Sequence, residues 1–129
     1  MFLLPISLTT AAAAALLNFW LGYRVGQVRS AEKVWVGDGG NLRLIARMRA
    51  QLNFAENTPI VLILLALVEL ARGGNLYLWI AALIYVVGRV LHAFGMDGFR
   101  AGRMIGTATT MLTMLGLAIY AALLAYKIL

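Results

Sequence analysis

Four apolar runs, each about the length that crosses a bilayer as a helix, occupy most of this chain. Only 12% of its 129 residues are charged and 63% are hydrophobic, against about 25% charged in soluble domains. So little polar surface cannot coat a water-soluble fold of this size, and in lipid the backbone must bond to itself. Runs of this length select helices. The predicted architecture is an all-α, integral membrane four-helix bundle. It forms one domain over 1–129, with spans at about 2–25, 43–71, 76–95 and 103–127.

The connections set direction. "VGDGGN" in the first breaks any helix. "RGGN", Arg72 to Asn75, is so short that spans two and three must be antiparallel neighbours, and "GMDGFRAGR" closes the third connection. Of 11 basic residues, Arg24, Arg29, Lys33, Arg43, Arg47 and Arg49 flank the first connection and Arg89, Arg100 and Arg103 the third. Arg72 and Lys127 alone stand on the other side. The positive-inside rule then puts both long connections in the cytoplasm and both termini outside. The first run has its charges behind it, which reads as an uncleaved anchor rather than a secretory signal. A short chain of this kind is compatible with a bacterial inner membrane. Trp20, Tyr77, Trp79 and Tyr126 stand near span ends, where interfacial aromatics belong.

Composition also excludes chemistry. With no cysteine and one histidine, His92, the chain has no disulfide, no thiolate nucleophile and no dedicated zinc site. The net charge of +6 sits at helix ends, as membrane anchors do, and does not read as a nucleic-acid surface.

Span two opens with "RMRAQLNFAENTPIVL", Arg47 to Leu62. Arg49, Asn53 and Glu56 are spaced i, i+4, i+7 and share one helical stripe. An unpaired carboxylate in a membrane segment costs about 2.5 kcal/mol or more, so Glu56 needs a partner or a purpose. Pro59 removes a backbone donor and is expected to bend the span. One reading is structural pairing of Arg49 with Glu56. The other is a ligand site, since Arg29, Arg89, His92, Arg100 and Arg103 gather at the same membrane face. Arginine forks bind carboxylates bidentately, Glu56 suits an ammonium, and Asn53 suits either kind of polar group. A small zwitterionic or polyanionic ligand fits that set.

These stretches resemble the MAPEG family, membrane-associated proteins in eicosanoid and glutathione metabolism. "RAQLNFAE", Arg49 to Glu56, looks like the family's span-two motif R-A-Q-x-N-x-x-E. "GQVR", Gly26 to Arg29, is similar to the end of the family's span one, and "RVLHAFG", Arg89 to Gly95, to the end of span three. The resemblance implies a homotrimer of four-helix subunits binding glutathione as co-substrate between neighbours. Arg29, Arg49, Asn53, Glu56 and His92 would hold the peptide. Arg103, with Arg100 as its competitor, would be catalytic by stabilising the glutathione thiolate. The implied function is a glutathione transferase or peroxidase acting on a lipophilic electrophile or hydroperoxide. Family synthases carry tyrosines where this chain has Phe94 and Met96, and Tyr85 lies about two turns deeper, which points away from eicosanoid synthesis. The alternative is a non-catalytic lipid- or glutathione-binding scaffold of the same fold. An exporter of cationic drugs built on Glu56 is a third idea, opposed by the surrounding arginines.

Other features read as packing. "GRMIG", Gly102 to Gly106, has the spacing for close helix approach, and Met104, Met111 and Met114 suit adaptable packing. Thr107, Thr110 and Thr113 are expected to bond carbonyls of their own helix. Glu69 is expected to pair with Arg72 in water, and Asp97 with Gly98 to make a turn.

Overall fold

The computed structural model describes residues 3–129; Phe2, where the first run was expected to begin, lies outside them. Four helices follow in order: α1 (Pro5–Glu32), α2 (Leu42–Arg72), α3 (Leu76–Met96) and α4 (Arg100–Ala125). Each is long and apolar enough to cross a membrane, and there is no strand among the described residues.

Local chemistry sets the helix ends. Pro5 occupies the first turn of α1, where its missing N–H costs nothing. Asn41 caps α2 by accepting from the Leu44 N–H at 2.9 Å, and Asn75 caps α3 by accepting from Leu78 at 3.0 Å. α1 runs past its apolar stretch to Glu32 and stops at Lys33, which turns left-handed at φ 54°. α2 continues unbroken through Pro59 and ends at Gly73, with φ 77°. Gly98, at φ 122°, supplies the left-handed residue in the tight turn between α3 and α4.

α2 and α3 form the centre. Each packs against the other three helices, whereas α1 and α4 do not touch each other among the described residues. The core runs in three layers along the bundle. Ile6, Val61, Leu65, Val68, Leu78 and Leu117 fill the end that carries the termini. Ala14, Leu21, Ala50, Phe54 and Ala93 fill the middle, and Val25, Val28 and Leu44 the opposite end. Large apolar side chains such as Leu16, Phe19, Ile63, Leu83, Leu112 and Leu115 point outward. An apolar surface of that extent is stable in lipid and not in water.

The α3–α4 contact is the tightest. Gly102 and Gly106, the pair expected to allow close approach, are both buried in it. A Cβ on Gly106 would meet the Gly88 carbonyl at 2.5 Å, and one on Gly102 the Leu91 carbonyl at 2.7 Å. A Cβ on Gly95 would collide with the backbone nitrogen of Arg103. Of the methionines, Met114 packs on the core, but Met104 and Met111 face outward.

Candidate functional site

Polar side chains concentrate at the end of the bundle opposite the termini, and the fold sorts them into three groups. The first is open. Arg49 and Glu56 are exposed on α2, with Asn53 half-buried between them. Among the described residues, neither Arg49 nor Glu56 takes part in a hydrogen bond or ion pair, so the stripe is not consumed by internal pairing. Its one local bond runs from the Asn57 amide to the Asn53 carbonyl at 2.8 Å. Arg103 and Arg100, in the first turn of α4, are exposed as well. A cation, an amide and a carboxylate left open on adjacent turns suit a ligand that carries carboxylate, peptide and ammonium groups.

The second group is buried between α3 and α4. Arg89 and His92 are 3% and 4% exposed. The Arg89 Nη1 donates to Thr110 Oγ1 at 2.9 Å, and its Nη2 lies 3.5 Å from His92 Nδ1. The Thr110 hydroxyl in turn donates to the Gly106 carbonyl at 2.9 Å, as expected of a threonine inside a helix. Thr109 makes the second such bond, at 3.1 Å. The Arg89 guanidinium carbon stands 5.9 Å from the Phe54 ring centroid, within cation–π range. Its Nε has no partner among the described residues. His92 thus packs against Arg89 and the α4 backbone. Tyr85, deeper in the span, is fully buried and shares a 2.7 Å hydrogen bond with Thr58.

The third group has Asp97 at its centre. Arg24 of α1 and Arg47 of α2 both pair with this carboxylate. Arg24 also lies 4.8 Å from the Trp20 ring and 5.2 Å from the Phe94 ring. Phe94 is therefore part of an aromatic cage around an arginine, and Trp20 faces inward as its other wall. Asp97 was expected only to make a turn. The local signal that could have shown more is its rarity, as one of five acids in a chain with 11 basic residues.

Arg29 stands apart. Its Nη1 donates to the carbonyls of Val34 and Gly37, at 3.0 and 2.8 Å, fastening the first connection onto the end of α1. At the other end of the bundle Glu69 departs from expectation. Arg72 forms no ion pair with it; Glu69 is buried instead and accepts from the Ile6 and Ser7 N–H groups at 2.9 and 2.8 Å and from Ser7 Oγ at 2.6 Å. Three donors at the uncapped start of α1 hold the carboxylate more tightly than water and one mobile arginine would.

A comparison with curated individual proteins finds no match. A comparison with family models matches residues 7–123 to the MAPEG family. Since that match runs from Ser7 at the start of α1 to Leu123 near the end of α4, it takes in every helix, and the chain belongs to the MAPEG family of multi-pass membrane proteins.

Proposed function

We propose that this protein is a glutathione-dependent transferase or peroxidase of the membrane, working as a homotrimer with both termini on the non-cytoplasmic side. The observation that carries the reading is the open Arg49, Asn53 and Glu56 stripe, in a chain of this family, with no internal partner for either charge among the described residues. Arg49 would take a glutathione carboxylate, Glu56 the ammonium, and Asn53 a peptide group. His92, buried against Arg89, and Arg29, bonded to the first connection, would contribute from α3 and α1 only by turning from those partners toward the ligand. An exposed polar stripe in a membrane helix is costly unless another subunit and a ligand cover it, which supports a site shared between neighbours.

Arg103 is the catalytic candidate. A free thiol has a pKa of about 8.5, so only a few per cent is thiolate at neutral pH, and a cation beside the sulfur raises that fraction. The thiolate then attacks an electrophilic carbon, forming a C–S bond as the bond to the leaving group breaks. With a hydroperoxide it attacks the terminal oxygen and the O–O bond breaks. The alkoxide takes a proton, and the sulfenic acid condenses with a second glutathione to give disulfide and water. An apolar groove of about 260 Å³ between α3 and α4, with Leu91 and Ile105 in its walls, opens two residues from Arg103 and would receive the lipophilic partner.

A non-catalytic binder is the second reading, favoured by Phe94, which is engaged with Arg24 and has no phenol to offer a ligand. Glutathione binding by calorimetry, together with turnover of a model electrophile and a lipid hydroperoxide in proteoliposomes, tests both. Binding with turnover supports the enzyme and binding without turnover the scaffold. No saturable binding in detergent or lipid rejects both.

A further inference from the structure

Two helices and one turn meet at a single carboxylate. Asp97 belongs to the short connection from α3 to α4, three residues before Arg100. Arg47 embraces it from α2, with Nε 3.4 Å from Oδ1 and Nη2 3.3 Å from Oδ2. Arg24 of α1 pairs with Oδ2 from the other side. The two arginines are themselves tied, since Arg47 Nη1 donates to the Arg24 carbonyl at 3.0 Å and to Gln27 Oε1 at 3.2 Å. Arg24 is 5% exposed and lies against both Trp20 and Phe94, whose ring centroids are 5.5 Å apart. Each cation therefore has a second hold besides the carboxylate.

The turn passes this constraint on to α4. Asp97 N–H donates to the Phe94 carbonyl at 3.1 Å, Gly98 N–H to Gly95 at 3.2 Å, and Arg103 N–H to Phe99 at 3.2 Å. Gly95 lies so close to the Arg103 backbone that no methyl fits between them. From Asp97 to Arg103 the chain therefore has little slack. Meanwhile α1 and α4 have no contact of their own among the described residues. The Asp97 cluster is where the ends of α1 and α2 are tied to the entrance of α4.

We infer that Asp97 is a positioning residue: gripped by Arg24 and Arg47, it sets where α4 begins and so where the Arg103 cation stands relative to α1 and α2. Its catalytic consequence rests on the proposed role of Arg103, while its geometric consequence does not. Removing the carboxylate's charge takes away the attraction that anchors the turn to Arg24 and Arg47, so the turn and the start of α4 are no longer tied to α1 and α2.

The cysteine-free chain permits a direct test. Spin labels on cysteines introduced at the exposed Ser30 and Ala101 report the α1–α4 spacing within one subunit, when labelled protein is diluted into unlabelled protein in nanodiscs. Asp97→Asn is expected to shift or broaden that distance distribution, and Asp97→Glu to keep it narrow. An unchanged distribution in Asp97→Asn overturns the inference whatever the activity. In turnover, Asp97→Asn should lower kcat about tenfold with a smaller change in glutathione KM, and add nothing further in an Arg103→Ala background. Equal losses in both backgrounds mark a merely structural effect and also overturn it. If Arg103→Ala turns over normally, the proposed catalytic role fails and the distances alone decide the role of Asp97. Should Asp97→Asn not assemble, Arg47→Met removes one arm of the cluster and is read by the same distances, with an unchanged distribution again overturning the inference.

Discussion

Glu69, 62 residues beyond Ser7, caps the start of α1: its Oε2 accepts from both the N–H and the hydroxyl of Ser7, at 2.8 and 2.6 Å. The start of α1 has no capping side chain of its own. Pro5 brings no N–H, so the donors left over are those of Ile6 and Ser7, and both point at this carboxylate. A helix N-terminus favours negative charge, and hydrogen bonds to a charged group are the stronger kind.

Glu69→Ala removes three hydrogen bonds to a charged group and should therefore destabilise the bundle by at least about 3 kcal/mol. Thermal unfolding in detergent, read against wild type, checks this. Arg72→Ala should have little effect, because no ion pair joins it to Glu69 among the described residues.

Arg49→Ala and Glu56→Gln should each weaken glutathione binding about tenfold to a hundredfold, the equivalent of one charge-assisted hydrogen bond. Calorimetric titration measures this. Neither change should lower the unfolding temperature of the unliganded protein, since neither side chain has an internal partner among the described residues.

Arg103→Ala should lower kcat about a hundredfold, the scale of losing one electrostatic stabiliser of developing charge, and leave glutathione affinity nearly intact. Its pH–rate profile should move to the alkaline side, toward a thiol pKa of about 8.5. The sign follows from the cation: without it, a higher pH is needed for the same thiolate fraction. Arg100→Ala should move neither quantity.

Gly95→Ala places a methyl where the Arg103 backbone lies, so α4 must retreat. A loss of about 1–3 kcal/mol is the usual range for overpacking, and turnover should fall with it. Gly116→Ala, on α4, is the control, as nothing among the described residues stands within 4 Å of its added carbon. Unfolding curves of the two variants should separate clearly.

The helices were legible because their causes are local. Membrane-length apolar runs and the glycine-rich connections around Gly73 and Gly98 act on near neighbours, and the structure uses them as the pattern suggests, with Asn41 and Asn75 adding caps that were not expected. The Arg49, Asn53 and Glu56 stripe was legible for the same reason, since helical spacing alone places three residues on one face. Glu69 and Asp97 were not. Each spends its charge on partners 50 to 73 residues away, and nothing within a turn of either announces that meeting. Arg29 shows the intermediate case. Its position at the end of span one was plain, but its hold on the Val34 and Gly37 carbonyls depends on how the first connection folds back.

The bare flank of α4 has a kinetic consequence. Few of its residues are covered by the rest of the chain, and it meets α2 and α3 but not α1. A lipid-dissolved molecule reaches that flank by lateral diffusion, at a concentration fixed by its partition into the bilayer rather than by the volume of buffer. Adding empty vesicles to a fixed amount of enzyme and substrate then dilutes the substrate in two dimensions. On the proposed function, the half-saturating dose of a greasy co-substrate would scale with the quantity of lipid in the tube, while that of water-soluble glutathione would stay where it is.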